Sequence, residues 1–291
     1  MSNYKIITDS TSDLTQEMVD ELGVDVIPMD VTIGSFAFKD YPDERDISSH
    51  DFYKRIADGE PSGTNQISPI LFTETFEPYL KEGTDVLYIG FSSGLSGTYN
   101  NSVLAAKELA EKYPERKIYA VDSLCASLGH GLLVWDAVQK QKSGASIDEV
   151  KQWLEENREH LHHWFTVNDL NHLKRGGRLS ATAALVGTML GIKPVLQVNV
   201  KGCLTVVDKI RGRKQALDDL VAHMTKSCHD ADQMVFISHT DYEEGAEYVK
   251  EQVEQKLGVK QIKIGSMGPV IGAHTGIGTV ALFFLGDERT E

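Results

Sequence analysis

The stretch VLYIGF, residues 86–91, is an uninterrupted apolar run of strand length, and SSGLSG follows it at once. A strand with one face in water alternates apolar and polar residues, whereas a strand apolar at every position has both faces covered. This requires a parallel sheet with helices on both sides. The flanking sequence supplies both. KIIT (5–8) and KIYAVD (117–122) read as further strands. Helical periodicity runs from about Thr15 to Leu22 and stops at Gly23, a good C-terminal cap. Ser48 opens a short helix that ends before Gly59, and Ser68 followed by Pro69 opens another. Helices are also expected from the SSGLSG loop to about Tyr113 and around LLVWDAV, while Ser146 and Glu149 make a capping box. VDVIPMDVTI and GSFAFKD form an extended segment turning at Gly34 and Ser35, and EPSGTNQ (60–66) reads as a turn-rich loop.

The pattern changes near residue 160. WFTV (164–167) is a strand, and DLNHLKRGGRLS is a short helix broken by two glycines. ATAALVGTML (181–190) is small and apolar, suited to a closely packed helix. IKPVLQV and CLTVVDKI flank a hairpin turn at 199–202. Strand and helix patterns then alternate to the end, where GPVIGAHTGIGTVALFFLG reads as a glycine-rich loop and an apolar strand. The expected fold class is α/β, in two domains. An N-terminal parallel-sheet domain covers 1–160, a C-terminal mixed-sheet domain covers 161–291, and polar loops meet at a cleft that holds a ligand between them.

Composition narrows the function. The formal net charge is −14 over 291 residues. Neutralising phosphates takes a basic face, so nucleic acid is not an expected partner, and adsorption to anionic membranes is disfavoured. No run approaches the roughly 18 apolar residues of a membrane span, and the N-terminus shows no apolar signal core. Cys125, Cys203 and Cys228 form no CxxC pair, which suits a reducing cytoplasm. His160, His162 and His163 fall at the end of a helical pattern and read as surface residues, so no metal-ligating set is expected. Neither nucleotide-binding glycine motif is present.

Four loops concentrate Gly, Ser, Thr and His: TDSTSD (8–13), PSGTNQ (61–66), SSGLSGTY (92–99) and GAHTGIG (272–278). Two readings of the third compete. As a G-x-S-x-G elbow it would expose Ser92 as the nucleophile of a serine hydrolase acting on acyl esters, with His274 as base and Asp241 or another acid between them orienting it. Against this, Ser96 and Gly97 lengthen the loop beyond the elbow, and no HGGG-type oxyanion segment is present. As an anion receptor, the loop offers the hydroxyls of Ser92, Ser93, Ser96 and Thr98, close backbone N–H groups, and a helix N-terminus. Two basic segments, KRGGR (174–178) and IRGRK (210–214), interrupt the acidic background, and Arg178 and Arg211 are candidates for meeting phosphate or an acidic partner.

Taken in order, TDSTSDL, PSGTNQ, SSGLSGTY, VDS (121–123), LKRGGRLS with GIKPVL, IRGRK and GPVIGAHTGIGT resemble the DegV family over nearly the whole chain. That family's loop commonly reads T-S-Q-P where this chain has Thr64, Asn65, Gln66 and Ile67, so Thr64 carries over better than Asn65. The resemblance implies a non-catalytic, lipid-binding protein with no cofactor, holding a long-chain fatty acid of palmitate type between its domains. Thr64, Ser93 and Ser96, backbone amides around Gly94, and His274 would hold the carboxylate. ATAALVGTMLGIKPVL and nearby strands would wall the tail. It also implies a separate ATP-dependent fatty-acid kinase subunit as partner, with acyl phosphate formed on the carrier and Arg178 and Arg211 facing phosphate or partner.

Overall fold

A computed structural model describes residues 4–180 and 191–290. Three parallel strands and their crossovers build the first sheet: β1 (Tyr4–Asp9), β6 (Asp85–Gly90) and β7 (Ile118–Asp122), with β2 (Asp25–Ile27) at the edge in the order β2-β1-β6-β7. Both faces are covered, as the apolar run requires. Leu87 and Ile89 face one core, whereas Val86 and Tyr88 face another. A second, antiparallel sheet has the order β4-β3-β5, from β3 (Met29–Ile33), β4 (Phe36–Asp40) and β5 (Ser62–Thr64). The helices of this half are α1 (Gln16–Leu22), α2 (Ser49–Ala57), α3 (Pro69–Lys81), α4 (Thr98–Lys112), α5 (Ser127–Lys142) and α6 (Ile147–Asn157). Ser48, Ser68 with Pro69, and a complete Ser146–Glu149 capping box start helices as expected, and Thr15 caps α1.

The third sheet takes every described strand after residue 160. Its order is β10-β9-β8-β13-β11-β12, antiparallel except for the β11–β12 pair. The strands are β8 (Leu161–Thr166), β9 (Ile192–Val198), β10 (Leu204–Arg211), β11 (Met234–His239), β12 (Gln261–Ser266) and β13 (Val280–Leu285). Helices α8 (Arg213–Ser227) and α9 (Glu243–Leu257) cover one face, and α7 (Asn171–Arg175) and α10 (Pro269–Thr275) lie by the cleft. Helix α5 is buried nearly all round from Ser127 to Val138, because it packs against the first sheet on one side and the six-stranded sheet on the other. One hydrophobic core, from Ile6 through Leu132 to Phe283, therefore runs through both halves.

Three local readings are corrected. His162 and His163 are not surface residues at a helix end, because β8 begins at Leu161 and buries both. His162 stacks on Phe284, and His163 Nε2 accepts the Ala126 N–H at 3.1 Å. Residues Ser62–Thr64 are a strand rather than loop, drawn into pairing by β3. The first part of GAHTGIG belongs to α10, with Pro269 in the helix-starting position and Gly276 ending it. The expected helix over 181–190 lies outside the described residues.

Candidate functional site

A cavity opens between the two halves, with about 720 Å³ of atom-free space including its mouth. Its wall is mostly apolar: Phe91 and Leu95 after β6, Phe165 of β8, Val198 of β9, Ala281 and Phe283 of β13, and Ile271 of α10. An apolar wall with a few convergent polar groups is the build of a small-molecule site. Thr64, Ser96, Arg178 and His274 supply such groups here.

Each polar residue is set by its local chain. Thr64 ends β5, held opposite Val31. Ser96 sits in a turn in which the Ser92 carbonyl accepts the N–H groups of Leu95 and Ser96, both at 3.1 Å. The Ser96 hydroxyl donates to Thr98 Oγ1 at 3.1 Å and accepts the Thr98 N–H at 3.2 Å, just at the N-terminus of α4. Arg178 follows the two glycines after α7. Its Nε donates to the Leu95 carbonyl at 3.0 Å, joining the two loops, and it also donates to the Gly176 carbonyl. Gly176 must lack a side chain, since a Cβ there would lie 2.2 Å from His274 Nδ1.

His274 is carried by α10, whose start is fixed by two buried carboxyls. Asp13 Oδ1 accepts the Gly268 N–H at 2.9 Å, and Asp40 Oδ2 accepts the Val270 N–H at 3.3 Å. Burial pushes Asp40 up to about 7 and Asp13 well above the usual carboxyl range. The Tyr53 hydroxyl donates to the Met267 carbonyl at 2.7 Å, pinning the approach to the same helix. Burial, with Arg178 nearby, lowers His274 from 6.5 to about 4, so the ring is neutral at pH 7. His274 Nε2 lies 2.9 Å from Thr64 Oγ1, and Nδ1 is buried with no hydrogen-bond partner among the described residues. A buried N–H is left orphaned less readily than a bare lone pair. The favoured tautomer therefore puts the proton on Nε2, donating to Thr64. The Thr64 hydroxyl hydrogen is then free to donate to an oxygen in the cavity.

The structure does not bring every candidate to the cavity. Ser93 and Gly94 are exposed and outside the lining. The amides expected around Gly94 are already taken: Gly94 N–H donates to Ser92 Oγ, and Ser93 N–H to Asp122 Oδ1 at the end of β7. Gly94 has a packing reason instead, because a Cβ would lie 2.7 Å from the Lys201 carbonyl of the β9–β10 hairpin. Arg211 is exposed at the end of β10, away from the lining, while its neighbour Arg213 turns inward to the Gly278 carbonyl. Nor does the structure assemble the hydrolase arrangement. The Ser92 hydroxyl is buried and donates to the Gly202 carbonyl at 2.8 Å, and His274 pairs with Thr64. Asp241 bonds His50 at 3.1 Å. Thr11 and Ser127 are lining residues that were not singled out, although Thr11 lies in the flagged TDSTSD loop.

The fold and the cavity define an α/β protein with a largely apolar cavity between its two halves. The family described as "Uncharacterised protein, DegV family" matches residues 3–287. A DegV domain-containing protein of Clostridium perfringens is 45% identical over 290 residues, 99% of each chain. The crystal structure of a DegV lipid binding protein from Thermotoga maritima aligns at 31% identity and a TM-score of 0.87, covering 100% of both chains. A DegV family protein from Thermus thermophilus, whose structure is described by its fatty acid binding, aligns at 30% identity and a TM-score of 0.88, covering 98% of this chain and 100% of that one. The chain belongs to the DegV family.

Proposed function

We propose that this protein binds one long-chain fatty acid in the cavity, with the carboxylate at Thr64, His274 and Ser96 beside Arg178 and the tail along Phe91, Phe165, Val198 and Phe283. The observation that carries this is the pairing of an apolar cavity with the Thr64–His274 bond beside the Arg178 guanidinium. The Thr64 hydroxyl donates to an anion without taking a proton from it, and the Ser96 hydroxyl does so on turning away from Thr98 Oγ1. A tail of about 14 methylenes contributes on the order of 11 kcal/mol gross from burial. The tail therefore supplies affinity, and the hydroxyls fix which end enters. The lipid binding and fatty acid binding ascribed to the Thermotoga and Thermus proteins support the same ligand class.

The protein has no chemistry of its own in this reading. It works in the cytoplasm as a carrier that presents the carboxylate to a separate ATP-dependent kinase subunit, and the acyl phosphate forms on the carrier. Arg178 at the cavity would meet the phosphate, and exposed Arg211 would face the partner. Among the described residues, no helix is long and apolar enough to cross a membrane.

Native mass spectrometry of the purified protein, followed by organic extraction, tests the ligand. A stoichiometric long-chain acid released on denaturation is expected. A ligand-free mass that persists after incubation with palmitate and oleate would refute the proposal.

A further inference from the structure

The face of the six-stranded sheet away from the cavity carries a second cluster. Asp219 and His223 lie one turn apart on α8, and Asp208 reaches them from the edge strand β10. Asp208 is there because of a break in register. Val206 pairs with Leu196 and Asp208 with Val195, so Val207 is an extra residue. Leu196 faces the core that contains α5, whereas Val195 faces the core beneath α8. An unbulged strand would leave Asp208 on the same side as Val206; the bulge turns it towards α8.

Three ligand atoms then converge. His223 Nε2 lies 3.1 Å from Asp208 Oδ2 and 3.4 Å from Asp219 Oδ2, and all three donor atoms fall within 4.8 Å of one another. A tetrahedral ion with bonds of about 2.0 Å has ligand atoms about 3.3 Å apart. The two nitrogen–oxygen separations already have that length. One imidazole N–H can serve only one of the two carboxylates, and Asp219 Oδ2 is shielded from solvent with no hydrogen-bond partner among the described residues. The His223 ring is held in place, since it stacks on Trp164 with centroids 3.6 Å apart and planes at 6°.

We propose that Asp208, Asp219 and His223 bind a divalent transition metal of the Zn2+ class, clipping the edge strand β10 to α8. Two carboxylates and an imidazole offer a mixed oxygen and nitrogen donor set for such an ion, with water completing the tetrahedron. The site shares no residue with the lipid cavity and stands or falls separately from the proposed function.

The test is titration of the full-length, chelator-stripped protein with Zn2+ alone, against a competing chromophoric chelator. One Zn2+ per chain is expected. His223→Gln and Asp208→Asn should each weaken binding by more than about tenfold, since even outer-shell changes cost that much. Ni2+ should quench tryptophan emission in the wild type and lose that effect in Trp164→Phe. Far-UV circular dichroism matching the wild type shows that the variants are folded, and Asp208→Asn in the edge strand serves if His223→Gln is not. No stoichiometric uptake, or uptake unchanged in either ligand variant, would overturn the site.

Discussion

His274 gives the sharpest test of the site, through pH. Its folded value of about 4 lies below its unfolded value of 6.5. The unfolded chain therefore takes up the proton first as pH falls. The stabilising contribution of the neutral ring is complete above 6.5 and is lost progressively between about 6.5 and 4. A shift of about 2.5 units corresponds to about 3 kcal/mol in the limit, and about 2 kcal/mol of it is lost between pH 7 and pH 5. His130, His162 and His163 are also lowered by burial, so acid destabilises any variant of this protein. The difference between wild type and His274→Gln isolates the one ring. Urea unfolding of delipidated protein at pH 7 and pH 5 should show the wild type losing about 2 kcal/mol more than the variant. Added fatty acid should shrink that difference, because a carboxylate beside the ring favours its charged form and raises the folded value. Equal pH dependence in wild type and variant would refute the assignment of a buried neutral imidazole. An unchanged difference with lipid present would refute the placing of the carboxylate beside it.

Four further substitutions test the same reading. Thr64→Ala and Ser96→Ala each remove a hydroxyl proposed to meet a charged group, an interaction of about 1.5–3 kcal/mol, so retention of extracted acid should fall by about tenfold or more; unchanged occupancy in both would end the head-group assignment. Ser92→Ala should keep its lipid, and neither it nor the wild type should turn over a short acyl ester; turnover dependent on Ser92 would instead support the hydrolase reading. Ala281 lies opposite Phe165 in the β8–β13 pair and lines the cavity, so Ala281→Phe should shorten the acids recovered on extraction or abolish them; an unaltered chain-length profile would move the tail elsewhere.

Much of the frame was legible because it depends on local chemistry. A serine that accepts its own third N–H starts a helix wherever it occurs, and Ser48, Ser68 and Ser146 all do so. The apolar VLYIGF run required two covered faces and has them. Where pairing decides the structure, the sequence was silent. Ser62–Thr64 has no strand pattern of its own and is extended because β3 lies alongside it. The two histidines of β8 looked external because only its partner, β13, shows that both are covered. Pro269 carried the same helix-starting signal as Pro69, but the glycines after it obscured the short helix. At the site, residue type marked Thr64, Ser96, Arg178 and His274. Choosing Ser96 over Ser93 depends on which way a turn closes, and that is set by two amides on the Ser92 carbonyl. Phe91, Val198 and Phe283 were invisible as wall residues, since an apolar side chain facing a cavity reads like one facing a core.

The position of α10 explains why one ligand would matter to the whole molecule. It comes late in the chain, yet Val270 and Ala273 belong to the core of the three-stranded sheet, and its first turn is held by Asp13 and Asp40 from the N-terminal half. His274 and Thr64 are thus fixed to one body. The apolar cavity walls at Phe165, Val198, Ala281 and Phe283 belong to the other sheet, and Arg178 joins the two through the Leu95 carbonyl. A fatty acid with its head on the first body and its tail on the second touches both at once. Unfolding either side releases it, so its binding free energy adds to the stability of both: about 4 kcal/mol when free ligand exceeds its dissociation constant a thousandfold. The polar head need not bind strongly for this. It would need only to select the end that enters, because in the proposed complex the coupling is carried by the buried tail.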